Sequence, residues 1–323
     1  MIVRNNFAEP QLEHEAVLSI AGKNFGLRTN SDVLSVLLTR AYPREGFLGS
    51  ASDVIFDVRV DNATEKCELP TPCFRGTEHL VFATFGSRTF FTFDLLRNYV
   101  AGVVPSDRTH DRAFWQRVII PIVIGVLGSS VGIAPLHCAC LVRKSEGIMI
   151  SGLSGAGKST LSVALAQCGF NLLSDDWTYV TQLSSGLTAF GLSVPVKLLP
   201  DATQFFPDLN HFSPTSSLNG ELAYEVNASE AFHVGQATTC TPRRFFLLQR
   251  SSEPVSLFRP LSSRDVSNWL EQSAERLPRR LIAAHNRRRT IIHEIAKLQS
   301  FVFETGLSPH DSAQAIKDFC ESH

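Results

Sequence analysis

Apolar and polar residues alternate along the first hundred residues with the period of a half-buried strand. The stretch 53–61 shows the period most clearly, with apolar side chains at every second position: Val54, Phe56, Val58 and Val60. Two other stretches, 17–29 and 80–95, each contain two apolar runs separated by a glycine turn, which predicts hairpins. We therefore predict a smaller N-terminal α/β domain over residues 1–105, rich in strands, that is either accessory or faces the substrate.

The remaining residues, 106–323, predict strands and helices in alternation. The spacing of apolar residues favours a helix over 110–128, and two short apolar runs joined by a polar turn favour strands over 136–142 and 147–151. Further along, helices are expected from about residue 265 and after Ser308, which is placed to cap the last one. The fold class predicted for this second domain is α/β with a mixed sheet and a helical C-terminal part.

Composition excludes several classes of protein. The chain has 323 residues, of which 44% are hydrophobic and 19% charged, as in ordinary soluble domains. A net charge of −1 argues against a protein that coats nucleic acid or binds a membrane surface. The seven cysteines include no CxxC pair, which favours reduced thiols in the cytoplasm over a disulfide framework or a zinc site.

One apolar stretch has nearly the length of a membrane span. Residues 118–136 are interrupted by glycine, serine and proline, so we expect a buried helix that ends near Gly128. The N-terminal residues show no apolar core of the signal-peptide kind. No membrane partner is therefore expected.

The candidate chemistry begins at a glycine-rich loop. Gly152 to Ser159 satisfy the pattern G-x-x-x-x-G-K-[ST], between a predicted strand and a predicted helix. Glycines let the backbone N–H groups point inward at phosphate oxygens, Lys158 adds a charge, and the Ser159 hydroxyl is the residue type that binds Mg²⁺ there. The residues predicted to bind nucleotide are Gly152, Leu153, Ser154, Gly155, Ala156, Gly157, Lys158, Ser159 and Thr160.

Two adjacent acids follow the next predicted strand. If strand, helix and strand form a βαβ unit, Asp175 and Asp176 lie at the same sheet edge as the loop. One acid can then organise the metal, with Ser159, while the other accepts a proton from an attacking hydroxyl. The alternative is that either acid only caps a helix or forms a turn. The pair shifts the prediction from hydrolysis toward phosphate transfer.

With these residues in place, the stretch 134–200 resembles the catalytic core of the HPr kinase/phosphorylase superfamily. The resemblance comprises a Leu-His pair on a strand, the glycine loop, a helix ending in glycine, and Asp-Asp. It implies a core akin to phosphoenolpyruvate carboxykinase and a kinase that uses ATP and Mg²⁺ on a serine of a protein or peptide. By position, His137 resembles the family's active-site histidine, although alone it would be a core residue. The acids supply a metal contact, Asp175, and a base, for which Asp176 is favoured. A homo-oligomer is compatible with the resemblance.

The chain also departs from that family. It lacks the downstream Glu-x-Arg-Gly signature and the glycine-rich segment with a catalytic arginine, so neither phosphorolysis nor HPr as substrate carries over. Lys197, in the equivalent region, either reaches a phosphate or is a solvated surface lysine. A late basic cluster is either a solvated helix face or a dock for an acidic peptide: Arg276, Arg279, Arg280, Arg287, Arg288 and Arg289. Two other functions stay open, a small-molecule kinase and a nucleotide-binding regulator without catalysis.

Overall fold

The computed structural model describes residues 11–44, 51–62, 64, 72–192, 194–217, 220–251, 253, 255–274, 276–306 and 308–322. Internal contacts divide the chain into two compact units. The first extends to Leu127 and includes Pro278–Leu281, and the second comprises Gly128–Leu277 and Ile282–His323. Both contain strands and helices, so the fold is mixed α/β.

The first unit is built on one seven-stranded sheet with the order β1-β2-β3-β7-β6-β5-β4. Its strands are β1 (His14–Ile20), β2 (Lys23–Thr29), β3 (Val54–Asp61), β4 (Cys73–Thr77), β5 (Leu80–Phe85), β6 (Thr89–Asp94) and β7 (Tyr99–Pro105). Its helices are α1 (Asp32–Ala41), α2 (Arg112–Phe114) and α3 (Ile120–Leu127), with a π-helical turn, Trp115–Ile119, between the last two.

Aromatic side chains fill the core of the first unit. Phe56, Phe85 and Phe91 of the sheet pack edge-on against Phe114 or Trp115 of the helical stretch. The predicted hairpins are confirmed as β1–β2 and β5–β6, and the predicted strand over 53–61 as β3. The period-2 pattern was sufficient there because one face of the sheet is buried.

The apolar helix is part of the fold's interior. Arg112–Val131 is long and apolar enough to cross a membrane, with a mean hydropathy of 1.6, and 61% of its most apolar window is buried. A core helix of a soluble protein has the same properties. The contact division keeps α2 and α3 with the first unit, and residues 101–105 belong to β7. The predicted boundary between residues 105 and 106 therefore differs from this division.

The second unit holds the remaining elements. Its strands are β8 (Ile133–Arg143), β9 (Glu146–Gly152), β10 (Asn171–Ser174), β11 (Trp177–Leu183), β12 (Gly186–Phe190), β13 (Val196–Leu198), β14 (Thr215–Ser216), β15 (Leu222–Val226), β16 (Thr239–Arg250), β17 (Leu257–Pro260) and β18 (Gln299–Thr305). Its helices are α4 (Lys158–Gln167), α5 (Ala228–Phe232), α6 (Ser263–Ser273), α7 (Ile282–Ile295) and α8 (Pro309–Ser322).

A mixed eight-stranded sheet is the centre of this unit. β8 pairs antiparallel with β9 on one side and with β10 and β11 on the other, while β16 pairs parallel with β9 and β18. Alternate residues of β8 supply two cores. Ala139 and Leu141 pack on the side of α4 and α8, and Cys138 and Cys140 on the side of α6 and α7. The prediction that both cysteines share one face and serve packing is thus consistent with their burial.

The topology places two strand ends together. β9 and β10 are both antiparallel to β8, so they run parallel to each other, with β8 between them. Their carboxyl ends therefore lie at the same sheet edge, as the βαβ prediction required. A small three-stranded sheet, β13-β15-β14, completes the unit.

Candidate functional site

The glycine loop connects β9 to α4, and its glycines are required by space and by backbone conformation. A Cβ at Gly152 would lie 2.9 Å from the carbonyl oxygen of Leu248 on β16, so a larger residue would push two paired strands apart. Gly155 and Gly157 have φ values of +76° and +95°, in the left-handed region that favours glycine. Leu153 and Ser154 are exposed beside them.

The start of α4 has the electrostatics of an anion site. Gly157 is the N-cap, and no side chain caps the helix. The first-turn N–H groups of a helix have no partner within it and carry the positive end of its dipole. Nζ of Lys158 donates to the carbonyl oxygens of Gly152 (3.0 Å) and Leu153 (3.3 Å), so its charge lies within the loop. Burial lowers the pKa of Lys158, against the effect of nearby carboxylates.

Asp175 follows β10 and is only 4% exposed. Burial, together with the charge of Asp176, raises the pKa of Asp175 to about 7. Three hydrogen bonds act in the opposite direction, the smallest contribution coming from the backbone of Asp175 itself. The backbone N–H of Lys197 donates to Oδ2 over 3.3 Å, and the Ser159 hydroxyl also bonds to the carboxylate. The second bond connects the first turn of α4 to the end of β10.

The Asp176 carboxylate and the His137 imidazole are in contact beside the buried acid. Oδ1 of Asp176 lies 2.8 Å from Nε2 of His137, and the two side chains are 54% and 33% exposed. The imidazole stacks on the indole of Trp177, with ring centroids 5.5 Å apart and planes inclined by 28°. Trp177 is opposite His137 in the β11–β8 ladder, and opposite residues share a face of a sheet. The strand register therefore sets this contact.

A short span of β8 separates the loop from the acids. Ser151, the last residue before the loop, is opposite Cys138, and Trp177, directly after the acids, is opposite His137. The structure thus brings the predicted chemical residues to one edge of the sheet: His137, Lys158, Ser159, Asp175 and Asp176. Thr160 lies in the first turn of α4, half-buried.

Two tryptophans at this edge were not predicted from the sequence. Besides Trp177, Trp269 of α6 donates from Nε1 to the Ser151 hydroxyl over 2.8 Å, and that hydroxyl donates to the His137 carbonyl oxygen over 3.2 Å. The position of Trp177 after the acid pair was a visible signal, but its contact depends on strand register. Trp269 is 118 residues from Ser151, and nothing local indicates the bond.

Lys197 contacts the site through its backbone. Its ammonium is paired with Glu221, with Nζ 2.6 Å from Oε2, while its N–H is the group that reaches Asp175. The interpretation of Lys197 as a phosphate ligand therefore has no support in this arrangement.

Two arginines of the late basic cluster contact other residues of the same unit. Arg287 donates from Nη1 to the Ser130 carbonyl oxygen over 2.6 Å, and Nε of Arg289 lies 3.4 Å from Glu271. The dock for an acidic peptide stays a prediction.

The oxygen atoms at the edge fit a divalent cation that arrives with a phosphate ligand. Ser159 supplies a hydroxyl, and Asp175 and Asp176 supply carboxylates, which are the hard ligands that Mg²⁺ prefers. Within the described part of the chain, no group of three or more His, Cys, Asp or Glu side chains could hold a metal by itself. Mg²⁺ commonly uses one or two carboxylates together with substrate phosphates. A cation here would also favour the ionised form of the buried Asp175.

Comparisons with known proteins give a distant structural likeness. No family model and no curated protein matches the chain. Among solved structures, the Hpr(Ser) kinase/phosphatase from Coxiella burnetii is similar over 58% of this chain and 95% of its own, with a TM-score of 0.31 and 14% identity. A likeness at this level does not define function, which must be inferred from the residues at the sheet edge.

Proposed function

We propose that this protein is an ATP- and Mg²⁺-dependent phosphotransferase that phosphorylates a serine hydroxyl of a protein or peptide. The observation that supports it is the His137–Asp176 pair, which lies at the same sheet edge as an uncapped helix start that carries Lys158. An anion site opposite a proton acceptor is what transfer of a phosphoryl group to a hydroxyl requires.

In this proposal the role of each residue follows from its surroundings. The loop N–H groups and Lys158 hold the phosphates, and Ser159 with Asp175 would hold Mg²⁺, which neutralises charge on the transferred group. Asp176 accepts the proton of the serine hydroxyl. The serine oxygen bonds to the γ-phosphorus of ATP while the bond from that phosphorus to the leaving β-phosphate oxygen breaks. His137, paired to Asp176, holds the carboxylate in position. The exposure of Asp176 supports its assignment as the base, since an acceptor hydroxyl must reach it.

The acceptor is inferred from the resemblance of residues 134–200 to the HPr kinase/phosphorylase superfamily. That resemblance supports a serine on a protein or peptide over a metabolite. We therefore propose that the site at this sheet edge is the active site of a cytoplasmic kinase.

Labelled ATP tests the proposal. The purified protein, with Mg²⁺ and peptides or small proteins encoded beside its gene, is expected to yield acid-stable phosphoserine. Asp176→Asn should lower the rate by at least about a hundredfold, the lower range for loss of a general base. Asp208→Asn, an exposed acid of the same unit outside the site, is the matched control and should leave the rate unchanged.

Two other outcomes would contradict it. Label in a soluble metabolite, with none in any peptide, would indicate a small-molecule kinase. ATP binding without turnover in the parent protein, unaltered by Asp175→Asn and Asp176→Asn, would indicate a regulator without catalysis.

A further inference from the structure

We propose that a cavity beside the start of α4 binds the nucleoside half of the nucleotide and that Asp201 selects for ribose there. This inference rests on the proposed function only in placing the phosphates in the glycine loop. The cavity has a volume of about 260 Å³, close to the roughly 300 Å³ at which small-ligand clefts begin.

The cavity is continuous with the loop. Ala156, Gly157 and Thr160 line one wall, so a ligand held by the loop can extend into it without leaving the protein surface. The Ser159 hydroxyl bonds to Asp175, on the side of the acids. Thr160 is the next residue of α4 and is therefore turned by about 100° around the helix axis. A triphosphate with its transferable end at the acids thus directs its other end toward Thr160 and the cavity.

Three of the other residues that line the cavity have polar side chains. Asp201 and Gln204 lie on a short helical turn, Pro200–Gln204, and Arg250 ends β16. All three are exposed, and within the described residues none of them has a hydrogen bond or ion pair. Asp201 and Arg250 have opposite charges and line one cavity without pairing. Such side chains are available to a ligand.

The chemistry of this lining fits a nucleoside. The Asp201 carboxylate can only accept hydrogen bonds, and the ribose hydroxyls are donors. Gln204 both donates and accepts, as the edge of a base does. Phe205, a half-buried residue of the same lining, offers an apolar face on which a base can lie. The guanidinium of Arg250 is suited to the phosphate nearest the ribose.

Calorimetric measurements of binding to the full chain, with Mg²⁺, distinguish the contributions of the phosphates and of the nucleoside to the affinity. The probes are ATP, 2′-deoxy-ATP, 3′-deoxy-ATP and inorganic tripolyphosphate. Asp201→Asn is expected to weaken ATP about tenfold, the effect of losing one charged hydrogen bond, and to leave tripolyphosphate unchanged. At least one deoxy analogue should bind the parent protein about tenfold more weakly than ATP does. Asp201→Asn should not lower the affinity for that analogue any further. Gln204→Ala should weaken ATP and spare tripolyphosphate, and Asp208→Asn should change neither.

The inference would be overturned if Asp201→Asn lowered the affinities for ATP and tripolyphosphate equally, or if it lowered neither. It would also be overturned if Asp201→Asn lowered the affinities for ATP and for both deoxy analogues by the same factor. Because Asp201 and Gln204 are exposed, these variants should fold, and their thermal unfolding checks it. The test reads binding alone. Asp201-dependent ATP binding without phosphate transfer would therefore leave this inference standing and contradict the proposed function.

Discussion

Asp175 and Asp176 are neighbours in the sequence with opposite surroundings. They form the bend between β10 and β11, two strands that both pair with β8. One carboxyl is buried beside Ser159, and the other is exposed beside His137. The difference in burial thereby gives two identical side chains different roles, one suited to a metal and one to a proton.

Asp175→Asn is expected to stabilise the ligand-free protein, increasingly so as the pH rises. The pKa of Asp175 is about 7 when folded and 3.8 in the reference state, so the folded form binds the proton more tightly. Wild-type stability therefore falls as the pH rises from about 4 to about 7, whereas an amide has no proton to lose. The gain should reach on the order of 4 kcal/mol at about pH 8.

Denaturant unfolding at about pH 5 and about pH 8, without Mg²⁺, measures this difference. Asp208→Asn, an exposed acid, should show little change at either pH. A gain for Asp175→Asn that is the same at both values would contradict the assigned surroundings of Asp175.

Trp177 is expected to position the imidazole. Trp177→Ala should lower kcat about tenfold, since an aromatic stack contributes up to about 1.5 kcal/mol, and should leave the affinity for Mg-ATP unchanged. Trp177→Phe retains a ring and should restore most of kcat. A merely structural tryptophan would instead lower the thermal unfolding temperature of both variants without this split between kcat and affinity.

At the scale of elements, the glycine loop and the strand that faces it determine the site. β9 delivers the loop, α4 supplies its positive end, and β8 presents His137. No side chain caps α4 at Gly157, where many helices have serine or aspartate. The helix start is therefore less stabilised by the protein and more available to an anion.

Gly157→Ala tests the conformation of the loop. At φ +95° an alanine is strained by about 1–2 kcal/mol, and relief of that strain would turn the first N–H groups of α4 away from a phosphate. We expect the affinity for tripolyphosphate to fall at least about tenfold. Gly125→Ala is the matched control, because Gly125 lies in α3 with no atom near an added Cβ. That variant should bind normally, and normal binding by Gly157→Ala would contradict the loop's role.

At the scale of the molecule, every residue assigned to the site belongs to the second unit. Ligand binding stabilises the elements that contact the ligand, by about 2.7 kcal/mol at a hundredfold excess over Kd. Saturating Mg-ATP should therefore slow amide hydrogen exchange in β8, β9, β10 and α4. Exchange in the seven-stranded sheet of the first unit should stay the same. Protection confined to the first unit would contradict the assigned site.

Much of the fold could be predicted where local pattern and burial agree. The strands at 53–61 and 147–151 and the cap at Ser308 follow from period and residue type, and the structure confirms them as β3, β9 and the start of α8. The π-helical turn at Trp115–Ile119 does not follow from pattern, because apolar residues there support an α-helix equally well. Nor does the division after Leu127, which depends on contacts between residues far apart in the chain.

The sequence by itself determined the loop, since G-x-x-x-x-G-K-[ST] between a strand and a helix has few alternative conformations. It also determined that two acids follow the next strand. The tertiary structure alone decided that Asp175 is buried and Asp176 is not, and that Trp177 covers His137. It alone decided that Asp201, Gln204 and Arg250 share a cavity with Thr160. The physical reason is that loops and strands obey local geometry, whereas burial, pKa and cavities depend on which distant strands and helices pack together.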